Sequence, residues 1–127
     1  ELGGGGTTTT GTVSIAEVWV RNLLSHFKII NEPPQSLEDR GLPATRMMHM
    51  PDSGCYVISD DAGIYESLID LNSPVEVGDA VGQVHFPRNP ELLPVVYRVE
   101  RPGILVGRTH KALVESGDFL ALIAAEM

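Results

Sequence analysis

Two stretches of this chain carry the same pattern. Gly63-Ile64 followed by Val75-Glu76-Val77-Gly78-Asp79-Ala80-Val81 matches Gly103-Ile104 followed by Val114-Glu115-Ser116-Gly117-Asp118-Phe119-Leu120, at offsets of forty and then thirty-nine residues. In each copy an apolar strand starts after a glycine and leads to a V-E-x-G-D turn. There the glycine supplies positive φ and the aspartate bonds the backbone. A second apolar strand follows. Two copies are too few for a solenoid, which needs about three or more. The expected outcome is a sandwich of short strands in two pseudo-repeated halves, each burying the other's apolar face.

The rest of the chain sorts around this pattern. Val13, Ala16, Val20, Leu23, Leu24, Phe27 and Ile30 fall at the spacing of one apolar helix stripe, so the spacing predicts a helix over 13–30. Its start lies between Thr10 and Ser14, and Ser14 with Glu17 has the capping-box form. Residues 31–44, with three prolines and little to bury, read as a linker. Short β-type runs then occur around 46–50, 55–58, 63–68, 80–85, 95–99, 104–106 and 119–123. The expected fold class is therefore mainly β, a helix preceding a β domain, with boundaries at 1–30, 31–44 and 45–127.

Composition narrows the function. A length of 127 residues allows one core, and 43% hydrophobic with 20% charged residues disfavours both a disordered chain and a membrane span. Nine Lys and Arg against a net charge of −8 leave no basic stripe for phosphates, so no nucleic-acid partner is expected. A single cysteine and the lack of a signal-peptide pattern at the N-terminus point to the cytoplasm. The first residue is Glu1 rather than Met, which reads as a piece of something longer or the remnant of a clipped tag.

Several chemistries lack their residues. Gly6 and Gly11 are followed by Thr12 and Val13, not by the Lys-Ser/Thr pair of a P-loop. The four histidines, His26, His49, His85 and His110, are scattered, so no self-contained metal site is expected in this chain. Cys55 has no basic neighbour to activate it and reads as a core residue, and Met47, Met48 and Met50 read as packing groups. Arg46 and Arg98 have the side chain for bidentate carboxylate recognition, although an ordinary surface charge is the commoner role of such a residue. The glycines before the helix allow two readings. Backbone N–H groups of Gly3 and Gly4 contact an anionic substrate, or the run simply permits a tight turn.

Residues 61–123, with their paired G-x…V-x-x-G-D halves, resemble biotinyl and lipoyl carrier domains, which implies a barrel-sandwich hybrid. Those carriers load cofactor on a lysine between the halves, and no lysine lies between His85 and Pro102 here. Covalent carriage is therefore not expected; a noncatalytic binding or assembly module without attached cofactor stays open as an alternative.

A wider resemblance spans nearly the whole chain. Glu1-Leu2-Gly3-Gly4-Gly5-Gly6-Thr7, Val20-Arg21-Asn22-Leu23-Leu24, Pro43-Ala44-Thr45-Arg46 and the two V-E-x-G-D turns resemble the C-terminal part of the succinylglutamate desuccinylase and aspartoacylase family, nearest its ectoine-degradation type. That resemblance implies a zinc-dependent amidohydrolase with an α/β, carboxypeptidase-like catalytic domain, acting on an N-acyl amino acid or similar small amide. It implies that Glu1 is the general base and acid, taking a proton from a zinc-activated water and returning it to the departing amine. The family's zinc ligands precede that glutamate, so zinc is expected in the intact parent and none in this chain, which is expected to be inactive alone. A homo-oligomer is also expected.

Overall fold

The computed structural model describes residues 8–127 and divides the chain into two compact units, Glu1–Arg46 and Met47–Met127. In the first, helix α1 runs from Thr10 to His26. It starts ahead of the expected Ser14–Glu17 box, because Thr9 and Thr12 already form one. The Thr9 hydroxyl accepts from the Thr12 N–H at 3.2 Å, and the Thr12 hydroxyl accepts from the Thr9 N–H at 2.9 Å.

The helix also ends earlier than the apolar spacing suggests. Lys28 takes φ 58°, its N–H bonds the Ser25 carbonyl and the Ile29 N–H bonds the Leu24 carbonyl, both at 2.9 Å. This is a Schellman closure with lysine where glycine is usual. Lys28 and Ile30, expected within the helix, thus lie beyond it. No α1 residue is buried, and Val13, Val20, Leu23 and Phe27 expose much of their side chains.

Residues 31–44 are not a free spacer. Their first part folds back on α1 through the Val20–Leu24 stretch. The Asn22 amide donates to the Gln35 carbonyl and accepts from the Gln35 N–H, each at 2.8 Å. Arg21 pairs with Glu32 at 3.1 Å, and the Ser25 hydroxyl donates to the Glu32 carbonyl. A short 3-10 turn over Glu38–Arg40 follows, closed by Gly41 at φ 64°.

The second unit holds nine strands: β1 (Met48–His49), β2 (Tyr56–Ile58), β3 (Gly63–Ser67), β4 (Pro74–Val75), β5 (Ala80–His85), β6 (Val95–Arg98), β7 (Gly103–Arg108), β8 (Leu113–Val114) and β9 (Phe119–Glu126). All pairings are antiparallel. One sheet has the order β1-β9-β7-β4 with β2 also on β9; the other has the order β6-β5-β3-β8. Alternating inward residues, among them Val57, Val75, Val81, Val84, Leu105, Val114, Leu120 and Ile123, form the core. Cys55 is buried as expected. Met47 and Met50 are exposed, contrary to their expected packing role, since they flank the two-residue edge strand β1.

The two V-E-x-G-D turns share one hydrogen-bond plan. Gly78 and Gly117 take φ 93° and 91°. Asp79 accepts from the Glu76 N–H at 2.8 Å, and Asp118 from the Glu115 N–H at 2.9 Å. Each glycine N–H reaches a carbonyl of the other copy's flank, Gly78 to Val99 at 2.8 Å and Gly117 to Ser59 at 2.7 Å. The strand before each turn pairs with the glycine-started strand of the other copy, Val75 opposite Gly103 and Val114 opposite Gly63.

Between β2 and β3 the chain is tied down by one phenol. Tyr97 Oη accepts from the N–H groups of Asp60 and Asp61 at 2.9 and 3.1 Å and donates to the Asp61 carboxylate at 2.7 Å. Burial, the largest cause, raises its pKa, so it stays a donor. Tyr97→Phe strips the Asp60 N–H of its acceptor, leaves the Asp61 N–H only the Ser59 hydroxyl at 3.3 Å, and is expected to cost about 1–3 kcal/mol. Urea denaturation of the chain measures it, with a shifted midpoint and an unchanged slope expected.

Candidate functional site

The sequence places its expected chemistry at Glu1, Gly3 and Gly4, which lie outside the described residues. Within the described part of the first unit, the apolar face of α1 opens onto a groove of about 630 Å³. Val13, Ala16, Val20, Leu24 and Ile30 line it, with Glu17, Arg21 and Glu32 among its charged lining. The ion pair of Arg21 and Glu32 joins helix to strap here.

The β unit carries a second set of polar contacts. On the outer face of the β6-β5-β3-β8 sheet, Glu66 Oε2 meets Gln83 Nε2 at 2.6 Å and His85 Nε2 at 2.7 Å. The register explains the meeting: Glu66 is opposite Gln83, and His85 lies two residues further along β5 on the same face. Gln83 first and His85 second hold the Glu66 carboxyl below its ordinary range. An ionised carboxylate only accepts, so the His85 proton sits on Nε2. The pair is exposed and orients a histidine without enclosing a substrate. It was invisible in the sequence, where nineteen residues separate its members.

Arg98, a candidate carboxylate ligand by residue type, donates to the Gly78 carbonyl at 2.8 Å and so caps the first V-E-x-G-D turn. His49 is exposed on β1, and His26 lies in the last turn of α1 against the Phe27 ring, with ring centroids 5.2 Å apart. Among the described residues no group of three or more His, Cys, Asp or Glu side chains is placed to hold a metal ion. The described side chains therefore do not fit a zinc centre. No helix among them is long and apolar enough to cross a membrane.

Lys111 reaches Asp118 at 2.8 Å and, with the Glu115 N–H, lowers the Asp118 pKa, the lysine bond contributing most. A depressed carboxylate pKa gives stability that is complete above the unfolded value, about 4, and is lost as pH falls through the lower folded value. Asp118→Asn removes the titration while keeping an oxygen for the turn. The acid limb of Tm against pH is expected to flatten in this variant below about pH 4, with little change near neutrality in high salt.

No family model matches the chain. It is 36% identical over 124 residues to the N-alpha-acetyl-L-2,4-diaminobutyric acid deacetylase of Halomonas elongata, an alignment covering 98% of this chain and 35% of that protein. The product-bound ectoine utilization protein EutE (DoeB) from Ruegeria pomeroyi superposes with a TM-score of 0.85 at 35% identity, over 98% of this chain and 36% of that one. The chain matches the C-terminal part of these relatives. The succinylglutamate desuccinylase/aspartoacylase from Rhodobacter sphaeroides shares the fold throughout, with a TM-score of 0.88 at 26% identity over all of this chain and 39% of that one. The chain thus spans about a third of the length of the deacetylases and desuccinylases it matches. The described residues, mainly β with one helix and two antiparallel sheets, match the fold of the corresponding part of the desuccinylase/aspartoacylase structure.

Proposed function

We propose that this chain is the C-terminal portion of a zinc-dependent amidohydrolase that deacylates an N-acyl amino acid or a similar small amide. What carries the reading is the 36% identity to a diaminobutyrate deacetylase across 98% of the chain. Glu1 serves as the general base and acid, and the Gly3 and Gly4 amides contact substrate. The metal is held by side chains other than those described, and the portion by itself is inactive. The β unit is a barrel-sandwich hybrid of two pseudo-repeated halves, a reading supported by the matching turn bonds and reciprocal strand pairing. Its role is noncovalent, since the 86–94 loop between the halves has no lysine to load.

The test compares this 127-residue chain with a longer protein containing it, on N-alpha-acetyl-2,4-diaminobutyrate and N-succinylglutamate, by release of acetate or succinate. Turnover by the longer protein alone, lost on chelation and restored by zinc, is expected. Release by the short chain, or none by the longer protein from any N-acyl amino acid, overturns the proposal.

The exposed stripe of α1 belongs, on this reading, against the rest of the longer protein. Left open, contiguous apolar surface drives association. Light scattering of the 127-residue chain is expected to show a mass that rises with concentration, and Leu23→Gln with Phe27→Gln to restore a monomer.

A further inference from the structure

We infer that the β unit carries a separate site for a free α-amino acid with an aliphatic side chain. The site is a groove of about 460 Å³ where β3 begins, bounded by the loop after β5 and by β8. Its apolar floor comes from pairing. Ile64 and Leu113 are direct cross-strand partners, which puts both side chains on one face, and Phe86 joins them from the loop. Ile64 and Leu113 are 44% and 70% exposed, so the floor is open to a ligand.

Two opposite charges share this groove. Arg88 and Glu115 both line it, yet neither side chain makes a hydrogen bond or ion pair with any described residue, including each other. For Arg88 this is unusual. The other cations of Met47–Met127 are engaged: Arg98 by the Gly78 carbonyl, Arg101 by Asp52, Arg108 by Asp70 and Lys111 by Asp118. Arg88 is thus the cation of the β unit left with neither a carboxylate nor a carbonyl partner, and its guanidinium is available for an incoming carboxylate.

The charges select a zwitterion. The Arg88 fork matches an α-carboxylate bidentately, the Asn89 amide beside it offers a further donor, and Glu115 matches an α-ammonium. The side chain of the ligand then lies on Ile64, Phe86 and Leu113. A simple anion would meet Glu115 and a simple cation would meet Arg88, so each charged residue disfavours the ligand that the other attracts. Residues inside a peptide lack both charges, which leaves the free amino acid. This inference stands independently of the deacylase reading.

Titration of the ¹⁵N-labelled chain with L-leucine tests it, beside three truncated probes: isoamylamine without the carboxylate, 4-methylpentanoate without the ammonium and glycine without the side chain. Leucine is expected to shift the amides of residues 62–64, 86–89 and 113–115, and each truncated probe to bind about tenfold more weakly. Arg88→Gln and Glu115→Gln should each weaken leucine by a similar factor while keeping a dispersed spectrum, since neither side chain holds the fold together. Arg88→Gln should leave the weak binding of isoamylamine undiminished. Groove amides unmoved by tens of millimolar leucine, equal binding of glycine and leucine, or unchanged affinity in both variants overturns the inference.

Discussion

Gly103→Ala is expected to destabilise the β unit by about 3 kcal/mol or more, whereas Gly107→Ala, four residues along the same strand, is expected to cost less than about 1 kcal/mol. The difference is one of space. A Cβ on Gly103 meets the backbone carbonyl of Ala124 well inside van der Waals contact and lies 2.9 Å from Ile123 Cγ2. Backbone oxygen in the middle of the longest strand cannot give way without breaking the β7–β9 ladder. A Cβ on Gly107 finds its nearest atom, Leu122 Cβ, at an ordinary 3.4 Å. Gly63 repeats the Gly103 situation against the His85 carbonyl, so Gly63→Ala is expected to behave alike. Alanine also restricts the unfolded chain, which offsets about 0.4–1 kcal/mol in every case and leaves the contrast intact. Chemical denaturation of the three variants checks the order; equal midpoints for Gly103→Ala and Gly107→Ala would refute the close-approach argument.

The same glycines show why much of the β unit was legible in the sequence. A positive-φ glycine and a backbone-bonding aspartate are local requirements, so V-E-V-G-D and V-E-S-G-D announce their turns without knowledge of the partner strand. Strands β4 and β8 were missed because they are two residues long and merge with those turns. Helix α1 was legible from its stripe, but its end was not. Lys28 in the left-handed region gives no signal of the kind glycine or asparagine would give. The strap over residues 32–35 escaped for another reason: Arg21 and Asn22 look like ordinary exposed polar residues until the chain returns to them. A contact that arises from register, such as Glu66 with His85, needs the sheet before it exists.

On the proposed reading, Glu1→Gln in a longer deacylase containing this chain is expected to lower kcat by about 10²–10⁴-fold, the range for a positioned general acid and base, with KM changed little. Glutamine keeps the volume and one hydrogen-bond-accepting oxygen of the carboxylate, so ground-state contacts persist. What it lacks is a group able to take a proton from the attacking water and hand it to the departing amine nitrogen. Without that hand-over the amine must leave as a strongly basic anion, and the barrier rises in the transition state alone, which is why the loss falls on kcat. The acid limb of the pH–rate profile should disappear with the carboxyl group. A variant that merely distorts the site would instead keep the limb and raise KM. Turnover within tenfold of the unsubstituted protein, or a profile that retains its acid limb, would remove Glu1 from the reaction and with it the main chemical support for reading the chain as part of a deacylase.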